Sequence, residues 1–469
     1  MKKVCAVILA AGDGKRMKSA KPKALKEVLF KPMLNWVIDA VKKSGIEQIA
    51  VIVGTGADMV RECLPKGVVS IEQKERLGTG HAVMQAREYI QETGCESVIV
   101  LTGDAPFVDS DAIMGSYDLH EKTRSAATIV AADVKDPTGY GRIVCNQIGN
   151  VLEIVEHKDA SDEIRRIKTI NSGTYWFEAE ALLWSLERIR PQNAQGEYYL
   201  TDTIKEMISA GRIVSKFTAK NGDVVMGAND RKGLYVLNEI ARKKVIDQHM
   251  TNGVTFIAPD SCMVSSDTTI GADTDILPGV IIKGHTTIGK GCTIGPNTVI
   301  EDCIIGDGVT INASQVYSSK IEDEAVVGPF SHIRPGSLIG KHVQIGNFVE
   351  IKNSVIGEET RIKHLTYIGD SDLGSNVNIG CGCVTVNYDG KDKHRTMVGN
   401  DVFVGCNVSL VAPVHVGNGA YIAAGSTITE DVKQGDLAIA RARQVNKSGY
   451  AAEVIKNGGE VIKKEEAGE

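Results

Sequence analysis

Hydrophobic positions along this chain follow two rhythms, and one gives way to the other near residue 250. Before that point, unbroken apolar runs alternate with amphipathic stretches. Val4–Leu9, Ile49–Val53 and residues 98–101 are apolar throughout, which predicts strands covered on both faces. Met33–Lys43 and residues 80–91 place apolar residues at helical spacing. This βαβα order predicts an α/β, Rossmann-like domain over residues 1–228, a mostly parallel sheet with helices on both faces. Ligands gather at the carboxyl ends of the strands in such sheets, so the loops after Leu9 and after Leu101 are the first places to look.

After residue 251 the texture changes. Ile270, Ile276, Ile282, Ile288, Ile294 and Ile300 recur at every sixth position. The series resumes at Ile321, Val327, Ile333, Ile339, Ile345 and Ile351, then at Ile356, Ile362 and Ile368. It returns from Val398 through Val404, Leu410, Val416, Ile422 and Ile428. A period of six suits neither the helix, at about 3.6 residues per turn, nor a single long strand. It predicts hexapeptide repeats of a parallel β-helix over residues 251–446, one repeat per face of a triangular coil. The aliphatic residue then points inward and stacks on its equivalent in the next coil. Between the two regions, residues 229–250 hold a polar helical segment, 234–244, that predicts a linker helix. Residues 447–469 are rich in glycine and charge and predict a frayed tail.

With 469 residues, the chain is too long for one ordinary core, in keeping with this division. A net charge of −6 argues against a nucleic-acid binder. No run approaches the roughly 18 apolar residues of a membrane span, so no membrane insertion is expected. The apolar start is cut short by Gly12-Asp13-Gly14-Lys15-Arg16, which suits a buried first strand rather than a leader, and a cytoplasmic location is expected. Ten cysteines are scattered, and the one tight pair, Cys381 and Cys383, has no partner cluster at zinc spacing. They read as small buried thiols.

The loop after the first strand reads Leu9-Ala10-Ala11-Gly12-Asp13-Gly14-Lys15-Arg16-Met17, with Pro22-Lys23 beyond it. Glycines let the backbone approach a ligand, and successive N–H groups can face phosphate oxygens. The loop is neither a Walker A motif nor the full dinucleotide fingerprint, and taken alone it is as often a tight turn. More segments follow in order: Gln73 with Leu77-Gly78-Thr79-Gly80-His81, Thr102-Gly103-Asp104, Gly139-Tyr140-Gly141-Arg142, residues 154–159, Ile170-Asn171-Ser172-Gly173, and Gly227-Ala228-Asn229. Together they resemble the sugar-1-phosphate nucleotidyltransferases. The resemblance implies attack of a sugar phosphate on the α-phosphorus of a nucleoside triphosphate, a reaction governed by positioning and charge neutralisation. It implies one or two Mg²⁺ sites, with Asp104 and Asn229 as the ligands of the one that can be assigned, since Mg²⁺ prefers oxygen donors, and Arg16 and Lys23 as the groups that stabilise triphosphate charge. Leu9, Ala10, Ala11, Gly12, Lys23, Gln73, Gly78 and Thr79 would bind the nucleotide, and Gly141, Glu156 and Asn171 the sugar. Lys15 and Arg76 stand where the family commonly has Thr and a second Gln, which leaves UTP against dTTP open.

In the rear half, the polar loop of residues 386–395 interrupts the repeat with no core-filling reason, and loops on rigid scaffolds often carry function. His364-Leu365-Thr366-Tyr367 sits where a plain repeat is due. With Arg334-Pro335-Gly336, residues 347–352, Asn378-Ile379-Gly380 and residues 438–441, these resemble the acetyltransferase half of the bifunctional N-acetylglucosamine-1-phosphate uridylyltransferase/glucosamine-1-phosphate acetyltransferase family. The resemblance covers nearly the whole chain. It implies a left-handed β-helix, a homotrimer with the acetyl site between subunits, and acetyl-CoA as a substrate. His364 would be the general base, since imidazole titrates near working pH. Arg334 and Lys352 would hold the sugar phosphate, and Tyr367, Asn378 and Asn387 the sugar. Asn387 with Tyr388, Cys406, Ala424 and Arg441 would meet coenzyme A. The expected function is synthesis of UDP-N-acetylglucosamine from small-molecule substrates. The alternatives are a nucleotidyltransferase for another sugar with a scaffolding β-helix, and a regulatory subunit.

Overall fold

The computed structural model describes residues 3–451 apart from Asp13, Ile148 and Ala194. The greater part of the tail expected from residue 447 lies outside the described residues. The chain divides into two units, Met1–Thr251 with Met263–Asp267, and Asn252–Cys262 with Thr268–Glu469.

Among the described residues, nine strands build the sheet of the first unit: β1 (Val4–Leu9), β2 (Ile49–Val53), β3 (Val68–Glu72), β4 (Ser97–Thr102), β5 (Ala127–Asp133), β6 (Arg142–Cys145), β7 (Val151–Val155), β8 (Thr169–Glu178) and β9 (Val214–Thr218). Their order is β9-β5-β8-β4-β1-β2-β3, and β6 and β7 form a hairpin attached to β8. Pairing is parallel from β4 through β1 and β2 to β3, and between β5 and β9. The mostly parallel expectation holds there, but β8 runs antiparallel between β5 and β4. The apolar run of β1 serves both faces of the sheet. Cys5 and Val7 pack in one core cluster, Ala6 and Ile8 in the other.

The helix at Met33–Lys43 lies where the spacing places it. Residues 80–91 instead form two helices, Thr79–Met84 and Arg87–Thr93. At the break, the Gln85 and Ala86 amides donate three residues back, to the Ala82 and Val83 carbonyls, and this tight turn ends the first helix. The polar segment after residue 229 belongs to a helix spanning Arg231–Thr251. No helix among the described residues is long and apolar enough to cross a membrane.

The second unit is a left-handed β-helix of short parallel strands. Every aliphatic residue of the sixfold series is buried, Ile270 being the most exposed at 8%. Ile276 stacks on Ile294 and Ile282 on Ile300 in successive coils. The pause in the series after Ile300 has a local cause. Ile288 stacks on Ile305 and Ile300 on Val316, so these coils hold fewer than three full hexapeptides. Later, Leu373 stacks directly on Val398, and the extra chain leaves the coil as the loop of residues 387–395. The buried cysteines fill turn corners: the Cys292, Cys303 and Cys383 thiols donate to the Gly306, Glu301 and Gly405 carbonyls at 3.2, 3.1 and 3.0 Å.

Candidate active sites

In the first unit the two loops singled out in the sequence meet because β1 and β4 are neighbours. Leu9 pairs with Thr102, and the Gly103 amide donates to the Leu9 carbonyl at 2.9 Å. A cavity of about 370 Å³ opens there, lined by Leu9, Ala10, Ala11, Gly12, Lys23, Gln73, Gly78, Thr79 and Asp104. Arg76 lines it too. Lys23 is the hub. Its ammonium contacts the Asp104 carboxylate and donates to Asn229 Oδ1 at 2.9 Å. Asn229 is brought in by Gly227, where a Cβ would stand 3.1 Å from the Asp104 carbonyl oxygen. Two oxygen acceptors thus converge on one cationic point, a donor set that suits a hard cation such as Mg²⁺. Arg16 lies on a short 3₁₀ turn, exposed, and lines neither this cavity nor the next.

Gln73 is buried, and its amide nitrogen is spent on the Gly78 carbonyl at 3.2 Å and His81 Nδ1 at 3.0 Å. This leaves Oε1 as an acceptor for a base N–H. His81 is a positioning partner that the sequence reading did not single out. Gly78 has φ +110, and a Cβ on it would fall 2.5 Å from the Tyr198 carbonyl oxygen. Gly78→Ala is expected to lower the melting midpoint by several degrees, at about 2–4 °C per kcal/mol for a unit of this size. It should also raise KM for the nucleotide. An unchanged melting curve and KM would show that the segment at Tyr198 gives way freely.

A second cavity, of about 230 Å³, adjoins the first and gathers Gly141, Glu156, Asn171, Asp104 and Asn229. Gly141 lies against the Glu156 carboxylate, since a Cβ there would be 3.4 Å from Oε1. Asn171 Nδ2 donates to the Tyr175 hydroxyl at 2.5 Å, and its Oδ1 accepts from the Gly173 amide at 3.1 Å. Tyr140 lines the same cavity, its phenol pushed up in pKa by burial. Burial pushes the Glu156 carboxyl up too, helped by the charges of Asp159 and Asp202. The sign follows. The folded state keeps a proton that the unfolded chain loses, so stability falls as pH rises from the ordinary carboxylate range through the raised value. Glu156→Gln is therefore expected to raise the melting midpoint at pH 7 and leave it unchanged near pH 4. Equal shifts at both pH values would rule out the ionisation as the cause.

In the second unit, Asn347 and His364 are register partners on adjacent strands. His364 Nδ1 stands 3.1 Å from Asn347 Oδ1. An amide oxygen only accepts, so Nδ1 carries the proton and Nε2 is left as the basic nitrogen. Glu350 lies opposite Tyr367 in the same register and accepts from Arg334 at 2.8 Å. The residue that ties this site together is Asp370, which the sequence reading passed over. It is buried, and it accepts from Lys352 at 3.2 Å, from Asn353 at 2.6 Å and from Asn387. Burial pushes its carboxyl up, but those hydrogen bonds and the Lys352 charge outweigh burial and hold it below its ordinary value. Asn387 also donates to the Tyr367 hydroxyl at 3.4 Å. Asp370 was legible only through register: it stacks near Asn353 of the preceding coil, a relation hidden until the coil length is known.

Asn378 lies in the register column of Arg361 and Phe403, apart from the column of Tyr367. The 387–395 loop is self-braced. Asp389 accepts from the amides of Lys391 and Asp392 and from His394 Nε2 at 2.8, 2.7 and 2.7 Å, and Tyr388 is left exposed. Cys406 and Ala424 share a turn column headed by Cys381. The Asn407 amide donates to the Cys381 carbonyl at 2.7 Å and the Gly425 amide to that of Cys406 at 2.8 Å. Arg441 follows, its Cδ 3.7 Å from where a Cβ on Gly425 would be.

Comparison with known proteins agrees with this two-part layout. Residues 5–224 match the nucleotidyl transferase family and residues 395–430 the bacterial transferase hexapeptide family. Residues 248–351 match the LbH domain of the EIF2B epsilon subunit, and residues 315–402 the GMPPB C-terminal domain. The chain is 49% identical over 450 residues to the bifunctional protein GlmU of Geobacillus sp. (strain WCH70), covering 96% of this chain and 98% of that protein. It is 49% identical over 458 residues to the GlmU of Caldanaerobacter subterraneus subsp. tengcongensis, covering 98% and 100%. With the GlmU of Thermoanaerobacter pseudethanolicus it shares 48% identity over 458 residues, again covering 98% and 100%.

Proposed function

This chain belongs to the family of bifunctional GlmU proteins, and we propose from that membership how its two sites divide one synthesis. The enzyme makes UDP-N-acetylglucosamine. Its rear unit transfers acetyl from acetyl-CoA to the amine of glucosamine 1-phosphate, and its front unit then transfers uridylyl from UTP, releasing pyrophosphate.

In the rear unit, His364 Nε2 takes a proton from the sugar 2-amino group as the nitrogen attacks the thioester carbonyl. The carbon–sulfur bond breaks and coenzyme A leaves. Asn347 fixes the imidazole tautomer. Arg334 and Lys352 hold the phosphate, and Tyr367 with Asn378 and Asn387 the sugar. Asp370 positions Lys352 and Asn387. Asn387, Tyr388, Cys406, Ala424 and Arg441 lie along the coenzyme.

In the front unit, Asp104 and Asn229 would hold Mg²⁺, whose charge neutralises the phosphates when it is bound. Lys23 is drawn off those oxygens onto the triphosphate, and Arg16 closes on it from the exposed loop. Gln73 Oε1 accepts from the base, while Gly78 and Thr79 shape its pocket. Gly141, Glu156 and Asn171 hold the acetylated sugar. Both nucleotide and acetyl donor are small cytoplasmic metabolites, which supports a cytoplasmic location.

A homotrimer is supported by an apolar column on the β-helix. Phe330, Phe348 and Leu365 stack in successive coils, all exposed, with the two rings 5.7 Å apart. Exposed apolar ladders of this kind mark association surfaces. Phe348→Glu is expected to shift the mass in light scattering from trimer to monomer, and a trimeric mass would place the contact elsewhere.

The observation that carries the second activity is the His364–Asn347 pair, which a scaffolding β-helix has no use for. The test is thiol release from acetyl-CoA with glucosamine 1-phosphate. Rapid release supports the reading. No release, with UTP turnover intact, would reduce the β-helix to a scaffold.

A further inference from the structure

At the strand ends of the first sheet opposite the nucleotide loops lies a cavity of about 710 Å³, to which neither reaction assigns a purpose. It is lined by Gly94, Cys95, Ser97, Arg124 and Glu178, at the amino end of β4 and the adjoining end of β8. Behind Cys95 lies Cys5, the second residue of β1, fully buried. The two sulfurs are 2.8 Å apart across 90 residues of chain. From this geometry we infer that Cys5 and Cys95 form a two-electron redox site whose oxidant is a small hydroperoxide entering through the cavity.

Access separates the two roles. Cys95 lines the cavity and Cys5 does not, so Cys95 attacks and Cys5 resolves. The hydrogen bond with Cys5 pulls the Cys95 thiol below its ordinary value, against the opposing effect of burial. That bond and burial push Cys5 up. Thiolate character decides which thiol reacts first. A donor stands close by: the Tyr89 hydroxyl is buried with no hydrogen-bond partner among the described residues. Burial and the nearby Cys5 and Cys95 sulfurs push its own ionisation up, so it keeps its proton to donate. The buried thiols of the β-helix differ. Cys292, Cys303 and Cys383 donate to backbone carbonyls at 3.2, 3.1 and 3.0 Å and burial pushes all three up, whereas Cys95 reaches the Ile90 carbonyl only at 3.8 Å and has the Cys5 sulfur at 2.8 Å.

The chemistry balances. The Cys95 thiolate attacks the terminal peroxide oxygen, the O–O bond breaks, and the other oxygen leaves with the proton that Cys95 gave up, as water from hydrogen peroxide or as the alcohol from an organic hydroperoxide. Cys95 is now a sulfenic acid. Cys5 attacks that sulfur, the S–O bond breaks, and hydroxide departs as water with the Cys5 proton. Two electrons have passed from the sulfurs to the peroxide, and a small dithiol reverses the change by exchange.

The test uses the reduced full-length chain, treated with one equivalent of hydrogen peroxide, then alkylated and mapped by mass spectrometry. The expected product is a Cys5–Cys95 crosslink that dithiothreitol removes, formed at least about tenfold faster than any oxidation of Cys292, Cys303 or Cys383. In Cys5→Ala, a sulfenic-acid trap should label Cys95, which needs no stable disulfide. Recovery of both cysteines as free thiols, at a dose that oxidises the exposed Cys406, overturns the inference. So does trapping at other cysteines with Cys95 unlabelled.

Discussion

Asp104→Ala is expected to abolish uridylyl transfer, with a loss of at least about a thousandfold, while acetyl transfer stays within about twofold because the rear site shares no partner with it. The reason is the position of this carboxylate. It stands at the end of β4, beside the loop that follows β1, and contacts the Lys23 ammonium, which also donates to Asn229 at 2.9 Å. Removing it leaves a cationic point with one neutral oxygen, and the site loses the charge that would anchor a metal against the triphosphate. Pyrophosphate release from UTP and N-acetylglucosamine 1-phosphate measures the first activity, and coenzyme A release the second. Asp104→Asn is the shape-preserving control and should fail almost as badly, since the charge is what is lost. Uridylyl transfer within tenfold of the parent in either variant would mean that the metal is held elsewhere.

His364→Ala should show the mirror image: acetyl transfer down by about 10² to 10⁴ and uridylyl transfer intact. The loss should fall on kcat with KM for glucosamine 1-phosphate little changed, because the phosphate and hydroxyl contacts proposed for Arg334, Lys352 and Tyr367 survive. Asn347→Ala is expected to cost less, since the imidazole remains but its tautomer is no longer fixed by the 3.1 Å contact. If His364→Ala kept its rate within a few-fold, with Asn347→Ala equally silent, the proton would have to leave by another route.

The two variants rest on parts of the molecule that differ in how far the sequence disclosed them. Every residue of the sixfold series is buried, though the series passed over Ile305, Val316 and Leu373, which stack inward where the spacing departs from six. Such a periodicity is local, since each aliphatic side chain declares its direction within its own repeat. The strands Val4–Leu9 and Ile49–Val53 were equally legible as runs covered on both faces. Motif order named many of the residues that line the two cavities of the front unit, but it also named Arg16, which lines neither, and passed over Glu197 and Leu200.

Tertiary structure alone decided the rest. β8 runs antiparallel between two strands that its own residues do not identify. The region of residues 80–91 carries helical spacing throughout, yet it breaks where two amides bond three residues back. Lys23 meets Asn229 across 206 residues, and Cys5 meets Cys95 across 90. Asp370 gathers Lys352, Asn353 and Asn387 only because stacked coils place residues 17 or 18 apart against one another. A sequence pattern reports how each residue faces its nearest neighbours along the chain. Which distant residues share a point in space is set by sheet order and coil register, and these follow from the packing of whole faces rather than from any segment that contributes to them.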